Sequence, residues 1–153
     1  MALSQTQQPL HEAVLQDFRS TQRGAVLLPG DEGYDVARTI WNGMIDKRPA
    51  VIARCRGVAD VIGAVNLARE HELSLAIRGG GHNVAGNAVC DGGLMIDLSP
   101  MQGIHIDPTN RIARVEPGVL WHDFDHEAQA FGLATLDDLP AGSRVAVLTT
   151  ADP

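Results

Sequence analysis

The chain has 153 residues, 44% hydrophobic and 20% charged, with a net charge of −7, the proportions of one ordinary globular domain rather than two large ones. No apolar run approaches the roughly 20 residues of a membrane helix, the start "MALSQTQQPLHEAVLQDF" lacks the features of a secretory signal, and Lys and Arg form no stripe or tail suited to nucleic acid. A soluble, cytoplasmic protein with no nucleic-acid or membrane partner is expected, and Cys55 and Cys90, without a CxxC, read as small core residues of a reducing compartment.

In chain order, "LHEAVLQDF" carries Leu10, Val14, Leu15 and Phe18 at helical spacing, and "GYDVARTIWNGMID" carries Ala37, Ile40, Trp41 and Met44 likewise. Between them "VLLPGDEG" (26–33) has the Pro, Gly and acidic content of a turn. "AVIARC" (50–55) predicts a strand, followed by a helix with Val58, Val61, Ile62, Val65 and Ala68 on one face, then a second strand in "LSLAIRG" (73–79). Residues 50–79 therefore read as a β-α-β unit whose strands are parallel neighbours.

After residue 79 the period changes. "GLMIDLS" (93–99), "GIHIDP" (103–108) and "RIARVEPG" (111–118) predict short strands, the last two joined by the turn "DPTN", so this half reads as antiparallel. "LWHDFDHEAQAFG" places Trp121, Phe124, Ala128 and Phe131 on one helical face and ends at Gly132, a suitable C-terminal cap. The fold class is α+β (mixed α/β): a βαβ subdomain, then mostly antiparallel strands with helices.

The stretch "IRGGGHNVAGN" (77–87) carries the chemical signal. Consecutive glycines past a strand end admit backbone angles closed to other residues and let several N–H groups converge on an anion. A tight turn between two close backbones accounts for the same glycines. Gly81 is followed by His82 and Asn83 rather than by the Lys-Ser/Thr of a P-loop. "NVAGNAVCDGG" has no helical period, as a Rossmann fingerprint would need.

"RGGGHNVAGNAVCDGGLMIDLSPM", with "GIHIDP", "RIARVEPG" and "LWHDFDHEAQAFGLAT", resembles over residues 45–135 the FAD-binding domain of the berberine-bridge-enzyme-like oxidases, of the wider vanillyl-alcohol-oxidase (PCMH) type. The resemblance implies an incomplete FAD-binding domain at 46–135, preceded by a helical segment at 1–45 and followed by a divergent tail at 136–153. It implies that Arg78, Gly79, Gly80, Gly81, His82, Asn83 and Gly86 bind the cofactor, with backbone amides of the loop on the FAD pyrophosphate. The family's histidine at the end of the glycine run is bonded to the flavin 8α-methyl carbon, which maps onto His82. Some members add a cysteine link about sixty residues further on; no Cys stands there in this chain, so a single link is expected. The implied activity is oxidation of an alcohol, sugar or amine-type carbon, with hydride transfer to the flavin and reoxidation by O₂. The chain is expected to be an N-terminal fragment lacking the family's substrate domain; the alternative is a non-catalytic truncated flavin-binding module or an inactive, pseudogene-like product.

His122 and His126, with Asp125, share a helical face and have acceptable spacing for a metal, but no HExxH glutamate accompanies them, and a solvated polar face explains them equally. Asp97 and Glu116 are candidate carboxylates or, as isolated acids at strand ends, surface or capping residues. No catalytic residue and no metal ligand is assigned. Beyond "FGLAT" the family's Gly, Ser and Thr-rich segment is not recognisable in "LDDLPAGSRVAVLTTADP". A truncation or a frameshift at Leu136 is one reading of this, since codons such as CTC-GAC-GAC for Leu136, Asp137 and Asp138, read one nucleotide later, encode Ser-Thr-Thr; a genuine short protein ending in an acidic loop is the other.

Overall fold

A computed structural model describes residues 10–134. The expectations for the tail from Leu136 lie outside the described residues. The described chain divides into two compact units between Pro100 and Met101.

The first unit begins with α1 (Glu12–Thr21), which buries Leu15 and Phe18 as its spacing predicts. β1 (Val26–Leu27) lies within the stretch expected to be a turn and pairs antiparallel with β2 (Val51–Arg54). Between them, α2 covers only Tyr34–Arg38. The helix expected to continue through Met44 stops because Thr39 is extended and Asn42-Gly43 forms a turn, in which Asn42 Oδ1 accepts from the Met44 N–H at 3.1 Å. Ala37 and Ile40 are buried as expected; Trp41 and Met44 are exposed.

α3 (Val58–Glu70) and β3 (Leu75–Arg78) complete the βαβ unit. Its two strands are not neighbours. β4 (Leu94–Asp97) inserts between them, parallel to both, in the order β1-β2-β4-β3. "LMID" is therefore a central parallel strand rather than part of the antiparallel half; all four residues are buried, as a strand covered on both faces requires. The face of α3 is also corrected. Asp60, Ala64, Leu67 and Ala68 are buried, while Val58, Ile62 and Val65 are exposed. Small residues bring the helix close to its neighbours, and Asp60 accepts from the backbone N–H of Arg23 (3.0 Å) and Arg56 (2.8 Å), which ties the segment before β1 to the one after β2. A core of Tyr34, Ala37, Ile40, Ile52, Ala88, Val89 and Met95 joins α2 and the loop before β4 to the sheet. The Tyr34 hydroxyl, whose pKa burial raises, donates to Pro49 O at 2.6 Å.

The second unit is the antiparallel hairpin β5 (Ile104–Asp107) and β6 (Ile112–Val115), as predicted, with α4 (Trp121–Gln129). Phe124 and Ala128 pack against Ala113; Trp121 and Phe131, expected on the same face, are exposed. Gly132 (φ +67°) ends the helix as predicted, with the Leu133 N–H on Ala128 O (3.1 Å) and the Gly132 N–H on Gln129 O (2.9 Å), a Schellman closure. Among the described residues no helix is long and apolar enough to cross a membrane.

Candidate functional site

β3 and β4 run parallel, so the chain between them must travel from the C-terminal edge of the sheet back to the other end. It does so without a helix, through residues 79–93, and the glycine run sits at the start of this passage. Arg78 closes β3. Its Nη1 donates to Ala37 O at 2.9 Å and lies 3.6 Å from Asp97 Oδ1, while its Nε is buried without a hydrogen-bond partner among the described residues. Gly81 (φ +74°) is buried beside that atom: a Cβ there would lie 3.2 Å from Arg78 Nε. Among the described residues, no acceptor is bound by the backbone N–H of Gly79, Gly80, Gly81, His82 or Asn83.

His82 and Asn83 are exposed. Asn83 folds the loop back: its carbonyl accepts from the Gly86 N–H (3.1 Å) and its Oδ1 from the Asn87 N–H (3.0 Å). Gly86 (φ +73°) packs so closely that a Cβ would meet Ile45 Cγ2 at 2.9 Å. The predicted residues are thus brought together in one loop.

Residues 41–47, on which no role was predicted, hold this loop. The Trp41 N–H donates to Gly81 O (3.1 Å), Asn42 Nδ2 to Val84 O (2.9 Å), and Lys47 Nζ to Gly86 O (2.9 Å) and Val89 O (3.2 Å). The indole of Trp41 stacks on the imidazole of His82, with centroids 6.2 Å apart and planes 22° from parallel. Arg38 fastens the same segment by donating to Asp35 (2.7 Å) and to Asp46, whose carboxyl it holds below the usual carboxylate range. The one local signal of this arrangement in the sequence is Asn42-Gly43, a turn dipeptide inside an apparent helix.

The other candidates are structural. Asp97 is wholly buried and accepts from Arg54 Nε (3.1 Å) and the Ser99 N–H (3.0 Å), so it braces the sheet edge from which the loop departs. Glu116 accepts from the Gly103 N–H at 2.7 Å and pins the approach to β5. His122 pairs with Asp123 (2.8 Å) and His126 with Glu127 (3.6 Å), all four exposed. Among the described residues no three His, Cys, Asp or Glu side chains gather as a metal site would require. Cys55 is buried and Cys90 half-buried, both are free thiols, and burial raises both pKa values, Cys55 to about 12.

Comparison with known proteins decides the family. Residues 49–147 match the family described as FAD binding domain. The chain belongs to that family. The chain is similar to (R)-6-hydroxynicotine oxidase of Paenarthrobacter nicotinovorans, 42% identical over 114 residues, which are 74% of this chain and 25% of the relative. The crystal structure of 6-hydroxy-D-nicotine oxidase from Arthrobacter nicotinovorans superposes with a TM-score of 0.71 at 42% identity, over 74% of this chain and 25% of that one. A Physcomitrella patens berberine-bridge-enzyme-like protein shares the fold, with a TM-score of 0.62 at 24% identity over 67% and 22% of the two chains. The resemblance drawn from the glycine stretch and its flanks is borne out, as is the mixed fold of an FAD-binding domain. The chain spans about a quarter of the length of the relatives it matches.

Proposed function

We propose that this chain binds FAD through Arg78, Gly79, Gly80, Gly81, His82, Asn83 and Gly86, and that His82 carries the flavin covalently. The observation that carries this reading is the run of N–H groups from Gly79 to Asn83 without acceptors among the described residues, beside the buried Nε of Arg78, which has no hydrogen-bond partner among them. Convergent amides and a guanidinium are the donors that a diphosphate accepts. The positive φ of Gly81 and Gly86 allows this backbone path, and a side chain at either position would press on Arg78 or Ile45.

Bound FAD supplies a two-electron acceptor. The protein's part is to hold the diphosphate at the sheet edge, to keep the loop's carbonyls engaged by residues 41–47 so that its amides stay free, and to present the exposed His82 as tether. The thiol of Cys90 is directed at Leu94 O (3.6 Å), which supports one tether rather than two. The reaction class is oxidation of an alcohol, sugar or amine-type carbon with O₂ as final acceptor, in line with the name oxidase borne by the 42% identical relative.

The test is retention of flavin through acid precipitation after incubation of the purified chain with FAD. Yellow colour and in-gel fluorescence that stay with the polypeptide, and pass into the supernatant in His82→Ala, support the reading. A wild-type chain that takes up no flavin, or flavin still bound covalently in His82→Ala, overturns it.

A further inference from the structure

Trp41 is placed unusually for a tryptophan. It is 67% exposed, so it forgoes most of the burial that ordinarily decides where an indole sits. Among the described residues its two specific contacts are both with the glycine loop: the backbone N–H on Gly81 O at 3.1 Å, and the stacked ring on His82. Between these contacts one residue fixes both the carbonyl before His82 and the plane of its imidazole. The turn at Asn42-Gly43 and the bond from Asn42 to Val84 O keep this segment against the loop.

We propose that Trp41 is a positioning residue for flavin attachment, holding the His82 imidazole in the plane from which its nitrogen bonds to the flavin. This rests on the proposed tether. In that bond a C–N link replaces one C–H of the 8α-methyl group and the N–H of the imidazole. Two protons and two electrons leave, and O₂, reduced to hydrogen peroxide, takes them up. Trp41 neither gains nor loses a proton; it narrows the orientations of an exposed ring that would otherwise rotate freely. A well-oriented nucleophile gains rate by this restriction.

Two measurements on the full chain test this. In the absence of flavin, the rate at which diethyl pyrocarbonate modifies His82, followed by mass spectrometry with exposed His122 as internal reference, rises about threefold in Trp41→Ala as the stacked face is uncovered. With added FAD, Trp41→Ala slows covalent incorporation about tenfold, Trp41→Phe restores most of it, and the affinity for non-covalent FAD stays within about threefold of wild type. Unchanged His82 modification, covalent incorporation at the wild-type rate in Trp41→Ala, or loss of non-covalent FAD in that variant each overturns the proposal. A wild-type chain that binds FAD but never bonds it overturns the tether and this proposal together, and is told apart by wild type failing alongside Trp41→Ala.

Discussion

Asp97 and Arg78 are register partners on adjacent parallel strands, and Asp97 Oδ1 lies 3.6 Å from Arg78 Nη1 with the carboxylate fully excluded from solvent. Arg54, its partner on the opposite strand, donates to the other oxygen at 3.1 Å. One buried acid thus faces two arginines where the glycine loop leaves the sheet and offsets one of their two positive charges. Asp97→Ala removes the countercharge of the largely buried Arg78 and is expected to cost about 3 kcal/mol, seen as a lower urea midpoint. An unchanged midpoint would show that the two guanidinium groups are satisfied without it.

Gly86 combines a left-handed backbone with close packing on Ile45. Gly86→Ala is expected to destabilise the chain by about 2 kcal/mol, in part through φ strain and in part through the clash. With Ile45→Ala added, the combined loss should be smaller than the sum of the two single losses, because the second change removes the atoms that the new methyl meets. Strictly additive losses in thermal unfolding would locate the effect in backbone strain alone.

The Cys55 thiol, raised to about 12 mainly by burial and also by the charges of Asp60 and Asp97, keeps its proton in the native state. The unfolded chain releases it near the ordinary thiol value of about 8.5. From there to about pH 12 the native state binds more protons, so this group's contribution to stability falls as pH rises and is constant below that window. Melting temperatures of wild type should decline more steeply from pH 8 to 11 than those of Cys55→Ala. Parallel declines would contradict the assignment.

Arg111 closes the β5–β6 turn at φ +57°, a conformation that costs a non-glycine residue free energy. Asp107 caps the same turn, accepting from the N–H of Thr109 (3.1 Å) and Asn110 (3.0 Å) and from the Asn110 side chain (2.6 Å), bonds that lower its carboxyl pKa. Arg111→Gly is expected to stabilise the hairpin by about 0.5 kcal/mol, the released strain exceeding the added entropy of the unfolded chain. A fall in chemical-denaturation midpoint would mean that the Arg111 side chain contributes more than its backbone costs.

Legibility differed by element for identifiable reasons. Leu15 and Phe18 on α1, the β5–β6 hairpin and the Gly132 cap were readable because each depends on neighbours within a few residues. The length of α2 was misread because Ile40, Trp41 and Met44 keep a helical period that Asn42-Gly43 interrupts. On α3, Ala68 is buried as its spacing predicts, but Val58, Ile62 and Val65 are exposed although they are more apolar than Asp60 and Ala64, which are buried because they accept backbone hydrogen bonds or are small. Within the candidate site the residues of 78–86 were legible as a glycine run closed by a histidine, whereas Trp41, Asn42 and Lys47 were not. They lie some forty positions away in the chain, and their contacts with the loop have no local signature.

The sequence by itself determined that a strand ends in a glycine loop carrying His82, and which family that loop and its flanks resemble, because those signals are carried by residue identity at short range. Only the tertiary structure decided that β4 lies between β2 and β3, that Asp97 binds Arg54 and Arg78, and that Trp41 stacks on His82. Strand order, charge pairing and ring stacking depend on which distant segments share a surface after the apolar strands are buried, and no local pattern encodes that choice.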